Sequence, residues 1–207
     1  MSGLTLYSMP SSGNSYKVRL MLALLGRRYT HVAAEIASPE LAALKAKGLL
    51  PTGTLPVLQI PGGRLLPESN AILLWLAHGT EFWPSDRFDE ARALGWMFFE
   101  QNRHEPVVAV RASLRCYPHR TTEATPERLA GLLEAGHEVL AMMEAHLRAA
   151  QWFTGPSPGA ADIALYAYTH SAGLRGGFEM ERFGAVNDWC ARIAALPGYV
   201  ALDALPA

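Results

Sequence analysis

Hydrophobic and polar positions follow two different patterns along the chain, and the pattern changes near residue 86. Before that point, short stretches of alternating polarity are interleaved with stretches of helical spacing. Ser38 directly before Pro39 is typical of a helix start, and Pro61-Gly62-Gly63 is typical of the turn in a β-hairpin. The pattern predicts the order strand, helix, strand, helix, strand, strand, helix over residues 4–9, 15–25, 29–35, 39–47, 57–60, 64–66 and 68–78.

After residue 86 the spacing of apolar residues is helical throughout. Residues 80–86, which contain Trp83-Pro84-Ser85, read as a linker. Thr125-Pro126-Glu127 is a well-formed helix start, and residues 160–172 are apolar on nearly all sides, which is typical of a helix at the centre of a bundle. The remaining predicted helices cover residues 87–115 and 185–196.

Composition narrows the class of protein. The chain has 207 residues, half of them hydrophobic, and a formal net charge of -1 with a pI near 6.7. This charge balance argues against a nucleic-acid partner, and no apolar run is long enough to predict a membrane span. The sequence enters a strand pattern at Leu4 without a leader pattern, which predicts a cytoplasmic location. Cys116 and Cys190 fit no zinc or disulfide pattern, so we expect no metal and two buried thiols.

Five motifs in register carry a resemblance to a known family. Residues 6–20, which contain Ser11-Ser12-Gly13-Asn14-Ser15, resemble the first strand, catalytic loop and first helix of bacterial glutathione S-transferases. Leu55-Pro56 resembles the cis-proline segment of that family, and Glu68-Ser69 resembles its glutathione clamp. Residues 96–101 and 161–166 are similar to two landmarks of its helical domain.

The resemblance implies a fold and a function. It implies an α/β thioredoxin-like N-terminal domain followed by an all-α C-terminal helical bundle, with residues 1–79 as the glutathione-binding domain, 80–86 as linker and 87–207 as the helical domain. The implied activity is conjugation of the glutathione thiolate to small hydrophobic electrophiles. Glutathione is then a co-substrate, and the family expectation is a homodimer across the Glu68-Ser69 helix and the Trp96 helix.

Ser12 is the residue that the resemblance places against the glutathione sulfur. A thiol with an ordinary pKa of about 8.5 needs roughly 2.7 kcal/mol to be mostly ionised at neutral pH, and one hydroxyl at a helix start can supply it. Ser11 and Tyr7 remain alternatives. The competing reading is that the serines of this loop only cap the helix.

The same resemblance assigns the contacts to the rest of glutathione. Asn14 would contribute an amide or backbone donor, and Leu55, presented by a cis bond to Pro56, would pair with the cysteinyl unit as a strand does. Glu68 would face the γ-glutamyl ammonium group, and Ser69 would bind the carboxylate, although both also suit an ordinary first helical turn. An electrophile pocket is expected between the domains, with candidates Met9, Phe99, Arg103, His104, Arg111 and also Tyr166.

Three positions depart from the family pattern. The segment before Leu55 lacks the usual polar residues for the glycyl carboxylate, Gly159 replaces a capping serine, and Ser15 stands where many relatives have cysteine. Two other functions stay open: glutathione-dependent disulfide or peroxide reduction, which the resemblance of the Ser12-Gly13-Asn14 loop favours, and a non-catalytic glutathione-binding scaffold, which the altered segment before Leu55 favours. Isomerisation of a maleyl-type metabolite is less favoured, because the loop lacks the expected serine-cysteine pair.

Overall fold

The computed structural model describes residues 3–205, which form two compact units. The first unit comprises residues 3–80 together with residues 196–205, and the second comprises residues 81–195. The sequence analysis assigned the last ten of these residues to the helical domain, so the structure adds a C-terminal segment to the first unit.

The first unit is built on a four-stranded mixed sheet. Its strands are β1 (Leu4–Ser8), β2 (Tyr29–Ala33), β3 (Val57–Gln59) and β4 (Leu65–Pro67), in the spatial order β2-β1-β3-β4. β1 is parallel to β2 and antiparallel to β3, and β4 is antiparallel to β3. A parallel pair needs a crossover, which the first helix supplies, whereas the antiparallel β3-β4 pair needs only the Pro61-Gly62-Gly63 turn.

Three helices complete the first unit: α1 (Gly13–Leu24), α2 (Pro39–Ala46) and α3 (Ser69–Ala77). Ser12 and Ser38 cap α1 and α2 through their side-chain oxygens, as expected for serine at that position. α1 and α3 pack against each other, and Leu44 is the buried residue of α2. The predicted order of strands and helices in this region is confirmed.

The C-terminal segment is tied to α1 by two hydrogen bonds. The Tyr16 hydroxyl donates to the carbonyl of Val200 at 2.7 Å, and the Arg19 guanidinium donates to the carbonyl of Leu202 at 2.8 Å. Both donor side chains are almost fully buried. The segment therefore covers the polar ends of two side chains that a helical pattern alone would place in a core.

The second unit consists of helices: α4 (Arg87–Phe99), α5 (Val110–Cys116), α6 (Pro126–Leu147), α7 (Ala160–Thr169) and α8 (Gly184–Ala194), with π-helical segments at Glu100–Ala109 and Ala172–Gly176 and 3-10 turns at Pro118–Glu123 and Met180–Arg182. Residues 160–167 are all buried, which confirms α7 as the central helix. The predicted helix over 87–115 is continuous but changes to π geometry over Glu100–Ala109, where Pro106 cannot donate the hydrogen bond that an α-helix requires.

Asp162 anchors the start of α7. Its carboxylate is fully buried and accepts hydrogen bonds from the backbone N–H of Phe153 at 3.1 Å, from that of Gly159 at 2.9 Å and from Trp189 Nε1 at 2.8 Å. Burial outweighs these bonds and raises the pKa of Asp162 to about 6. Gly159 has no side chain, so only the Asp162 half of a capping box exists here.

We expect Gly159→Ser to stabilise the protein by about 0.5 kcal/mol, because serine at this position adds the missing acceptor for a helix N–H. Gly159 has φ -131°, which serine adopts without strain, and an added Cβ would lie 3.4 Å from the carbonyl oxygen of Phe82. Urea denaturation of both proteins checks the prediction. A loss of stability would show that the neighbouring backbone cannot accommodate the side chain.

The prediction of two buried thiols is wrong for Cys116, which is exposed at the end of α5. Cys190 is half-buried as a residue, and burial of its thiol raises the pKa to about 12. Among residues 3–205, the structure has no helix with the length and hydropathy needed to span a bilayer.

Candidate active site

The loop between β1 and α1 brings Ser12 to the N-terminus of a twelve-residue helix. Its backbone carbonyl accepts from Tyr16 N–H at 2.9 Å, and its Oγ accepts from Ser15 N–H at 3.4 Å. Since Oγ is the acceptor in that bond, the hydroxyl proton of Ser12 can still be donated to a ligand. The side chain is half-buried, which leaves it accessible.

The other hydroxyl candidates in this region are bound to protein groups. Ser11 donates from Oγ to Glu35 Oε2 at 2.9 Å, and its backbone N–H donates to the other oxygen of that carboxylate. Ser15 is fully buried and accepts from the Met9 N–H at 2.9 Å. Tyr7 is buried and donates to Gln59 Oε1 at 2.8 Å. The donor bonds of Ser11 and Tyr7 and the complete burial of Ser15 make Ser12 the best placed of the four hydroxyls to donate to a bound sulfur.

Arg19 holds the loop between β1 and α1 in place through hydrogen bonds to its backbone carbonyls. It is 1% exposed and donates to the carbonyls of Met9 at 3.5 Å and Pro10 at 3.0 Å, in addition to Leu202. Burial is the main cause of the lowered pKa of Arg19. This role of Arg19 could not be predicted from the sequence, because an arginine inside a helical pattern is more often part of a solvated face.

The start of α3 and the turn before β3 form the other part of the candidate site. The Leu55-Pro56 peptide bond is cis, as the resemblance implied. Glu68 is exposed with φ 70°, a region that residues other than glycine rarely adopt, and Ser69 follows as the first residue of α3. Backbone outliers of this kind are concentrated at ligand sites, where the surrounding structure maintains them.

A polar cluster links α1 to the start of α3. Ser69 Oγ donates to Asn14 Oδ1 at 3.2 Å, so the structure brings together two of the residues that the sequence analysis named. Lys17 is fully buried, and its Nζ lies 3.5 Å from Ser69 Oγ and 3.4 Å from Asn70 Oδ1. Lys17 was not among the site residues predicted from the sequence. Its position one turn after Asn14 on α1 was the available signal.

The predicted electrophile-pocket residues lie in different environments. Met9 is half-buried in the first unit. In the second unit the guanidinium of Arg103 lies 5.7 Å from the ring centre of Phe99. His104 is fully buried with Nε2 2.9 Å from Thr169 Oγ1, and Arg111 donates to the carbonyls of Gly176, at 2.7 Å, and Leu129. His104 and Arg111 are thus held inside the helical unit, and their assignment to a pocket stays a prediction.

Two family models match the chain: "Glutathione S-transferase, N-terminal domain" over residues 6–81 and "Glutathione S-transferase, C-terminal domain" over residues 126–192. The chain belongs to the glutathione S-transferase family. A possible glutathione S-transferase from Rhodopseudomonas palustris is 41% identical with a TM-score of 0.90, and the match covers 98% of this chain and 91% of that one. The glutathione transferase architecture predicted from the sequence is therefore confirmed.

Curated relatives are more distant. Protein URE2 of Candida glabrata is 28% identical over 159 residues, which are 72% of this chain and 45% of that protein, so the chain spans about half the length of this relative. Maleylacetoacetate isomerase of Rhizobium meliloti is 27% identical over 203 residues, or 96% of this chain and 88% of that protein. A glutathione transferase from Pseudomonas putida, solved with glutathione disulfide, shares the fold at 24% identity and a TM-score of 0.78, covering 95% and 89% of the two chains.

Within residues 3–205, no group of three or more His, Cys, Asp or Glu side chains is arranged to hold a metal ion.

Proposed function

We propose that this glutathione S-transferase family member conjugates the glutathione thiolate to small hydrophobic electrophiles, with Ser12 stabilising the thiolate. The observation that carries the proposal is the hydroxyl of Ser12 at the N-terminus of α1, with its own proton available to donate. A hydrogen bond to a charged acceptor contributes about 1.5–3 kcal/mol, and a helix N-terminus adds roughly 0.3–1 kcal/mol. Together they match the roughly 2.7 kcal/mol that ionisation of the thiol requires at neutral pH.

In the proposed complex, glutathione binds to the first unit. Leu55, next to the cis bond to Pro56, pairs with the cysteinyl unit through its backbone, and Asn14, in the first turn of α1, contributes an amide or backbone donor. The first backbone N–H groups of α3 bind the γ-glutamyl carboxylate, and the Ser69 hydroxyl joins them by exchanging its bond to Asn14 Oδ1 for one to the ligand, while Glu68 faces the γ-glutamyl ammonium group. The strained backbone of Glu68 supports a binding role for this corner.

Lys17 places a positive charge next to Ser69, the proposed contact of the γ-glutamyl carboxylate. We expect Lys17→Met to raise the KM for glutathione about tenfold with little change in kcat, because the lost interaction acts on bound substrate and transition state alike. Protein stability is expected to fall by about 1 kcal/mol, since Asn70 Oδ1 loses a donor while the apolar side chain fills the space. Steady-state kinetics and urea denaturation separate the two effects, with exposed Lys47→Met as control. An unchanged KM would contradict this role.

The proposed electrophile contacts divide into two groups. Met9 and Phe99 supply apolar surface, and Arg103 supplies a cation beside the Phe99 ring. His104 and Arg111 are already bonded to Thr169 and to main-chain carbonyls of the helical unit, so we expect them to shape the pocket wall rather than to contact the electrophile.

The test of the proposed reaction is turnover with two model substrates. Conjugation of chlorodinitrobenzene by glutathione at a measurable kcat/KM, with little turnover of hydroxyethyl disulfide, supports the transferase reaction. The reverse pattern favours the second candidate function. The third measurement is calorimetry with glutathione. Binding of glutathione without turnover of either model substrate would favour the non-catalytic scaffold.

The second candidate function is glutathione-dependent disulfide or peroxide reduction. The Ser12-Gly13-Asn14 loop favours it, since the loop resembles that of bacterial relatives with this activity. The bound thiolate attacks one sulfur of a disulfide and releases the other as a thiol. A second glutathione then resolves the mixed disulfide to glutathione disulfide, so no protein cysteine is needed.

We also propose that the protein is a cytoplasmic homodimer. α3 and α4 each present large apolar side chains to solvent, with Trp75 45%, Phe88 71% and Phe98 63% exposed. Trp96 itself packs inward, with its ring 4.6 Å from that of Phe153 between centres. Analytical ultracentrifugation should therefore find a dimer, and Phe98→Glu should shift it toward monomer. A monomeric parent protein would contradict the proposal.

A further inference from the structure

A groove in the first unit lies beyond the residues assigned to glutathione. It has a volume of about 580 Å³, and its walls come from the loop after β1, from residues 34–45 and from residues 53–55. Most of the lining side chains are apolar, and Ile36 is 46% exposed. This volume lies within the range of roughly 300–1,000 Å³ of pockets for drug-sized ligands, and exceeds what a glycyl residue needs.

The groove is continuous with the proposed glutathione site, because Leu55 lines it; Met9, a proposed electrophile contact, lines it as well. The order of the strands shows where the other end of the groove lies relative to Ser69. Ser69 follows β4 at one edge of the sheet, whereas Ala34 and Ile36 follow β2 at the opposite edge. These edges are three strand spacings apart, or about 14 Å, which an extended γ-glutamyl tripeptide can span. A peptide with its γ-glutamyl group at Ser69 and its cysteine at Leu55 would therefore point its third residue into the groove.

The charged side chain in the groove indicates which terminal group the third residue of the peptide would carry. Lys45 lines the groove from the last turn of α2. Glu35 is not part of the lining, and its carboxylate accepts hydrogen bonds from the backbone N–H and the hydroxyl of Ser11. Lys47 is nearby in sequence but does not line the groove. The groove thus combines an apolar wall with one cation, which complements an apolar residue that carries a free carboxylate.

We propose that this groove, the α2 groove, selects the third residue of γ-glutamyl-cysteinyl thiol peptides and accepts a large apolar residue with a free carboxylate in place of glycine. The proposal rests on the proposed glutathione site and adds a substrate class to it. Apolar contact with Ile36 and Leu41 supplies the preference for size. Lys45 supplies the preference for a carboxylate over an amide.

Calorimetry with four thiol peptides tests the proposal on the unaltered protein. The peptides are glutathione, γ-Glu-Cys-Phe, the C-terminal amide of γ-Glu-Cys-Phe, and γ-Glu-Cys. We expect γ-Glu-Cys-Phe to bind about tenfold more tightly than glutathione, and its amide to lose most of that gain. Tighter binding of glutathione than of γ-Glu-Cys-Phe would overturn the α2 groove while leaving the proposed function in place. Failure of all four peptides to bind would overturn both.

Two pairs of variants localise the effect. Ala42→Phe fills the groove and should reverse the preference for γ-Glu-Cys-Phe over glutathione, whereas Ala43→Phe, exposed on the same helix and outside the lining, should preserve it. Lys45→Gln should abolish the difference between acid and amide, and Lys47→Gln should keep it. Equal behaviour of the members of either pair would contradict the assignment of that wall to the groove.

Discussion

Replacing Ser12 with alanine is expected to lower kcat/KM for conjugation by about 10- to 100-fold. The change removes a hydrogen bond from a neutral hydroxyl to a thiolate, which contributes about 1.5–3 kcal/mol. Steady-state kinetics with glutathione and a model electrophile measure the effect. A kcat/KM equal to that of the parent protein would remove Ser12 from the mechanism.

The control for this variant has to account for helix capping. Ser12 caps α1, so Ser12→Ala should also cost about 1 kcal/mol of stability. Thr125 caps α6 through the same type of bond, accepting from Arg128 N–H at 3.3 Å, and has no part in the proposed site. Thr125→Ala should lose similar stability and keep its kcat/KM. An equal loss of activity in both variants would attribute the effect to capping.

Replacing Asp162 with alanine is expected to lower the free energy of unfolding by roughly 3–5 kcal/mol, because three N–H donors lose their acceptor and two of these bonds are fully buried. Asp86 is the matched control, since it also accepts two backbone N–H bonds at a helix start but is exposed. Asp86→Ala should cost about 1 kcal/mol. Urea denaturation measures both, and equal losses would contradict the anchoring role of Asp162.

The raised pKa of Asp162 also predicts a pH dependence. Since its folded pKa of about 6 lies above the unfolded value of 3.8, its stabilising contribution is complete below about pH 4 and is lost as pH rises through 6. Asp162→Asn cannot titrate. The stability difference between the parent protein and Asp162→Asn should therefore be larger at pH 4 than at pH 7, and a constant difference would contradict the raised pKa.

The order of strands and helices could be predicted because each element carries its own local signal. Serine caps, prolines at first helical positions and the Pro61-Gly62-Gly63 turn are short-range effects that a sequence displays directly. The attachment of the C-terminal segment could not be predicted in this way. It depends on Tyr16 and Arg19 donating to carbonyls more than 180 residues away in sequence, and neither donor has a local partner pattern.

Most residues of the candidate site could be predicted from the sequence, but which of its serines can donate a hydrogen bond to a ligand could not. Ser11, Ser12 and Ser15 are chemically alike in the sequence, and only their partners distinguish them. Glu35 accepts a hydrogen bond from the Ser11 hydroxyl, and Ser15 is fully buried. Both contacts depend on the fold of β1, β2 and α1 together. Lys17 was missed for the same reason, because its contacts with α3 join parts of the chain about 50 residues apart.

Titration of the thiol of bound glutathione tests the central claim most directly. Thiolate ultraviolet absorbance, measured against pH with saturating glutathione, should give a pKa near 6.5 in the parent protein, against an ordinary value of about 8.5. In Ser12→Ala the pKa should rise most of the way back. A bound thiol that titrates near its ordinary value, or one whose pKa is the same with and without the Ser12 hydroxyl, would contradict the account.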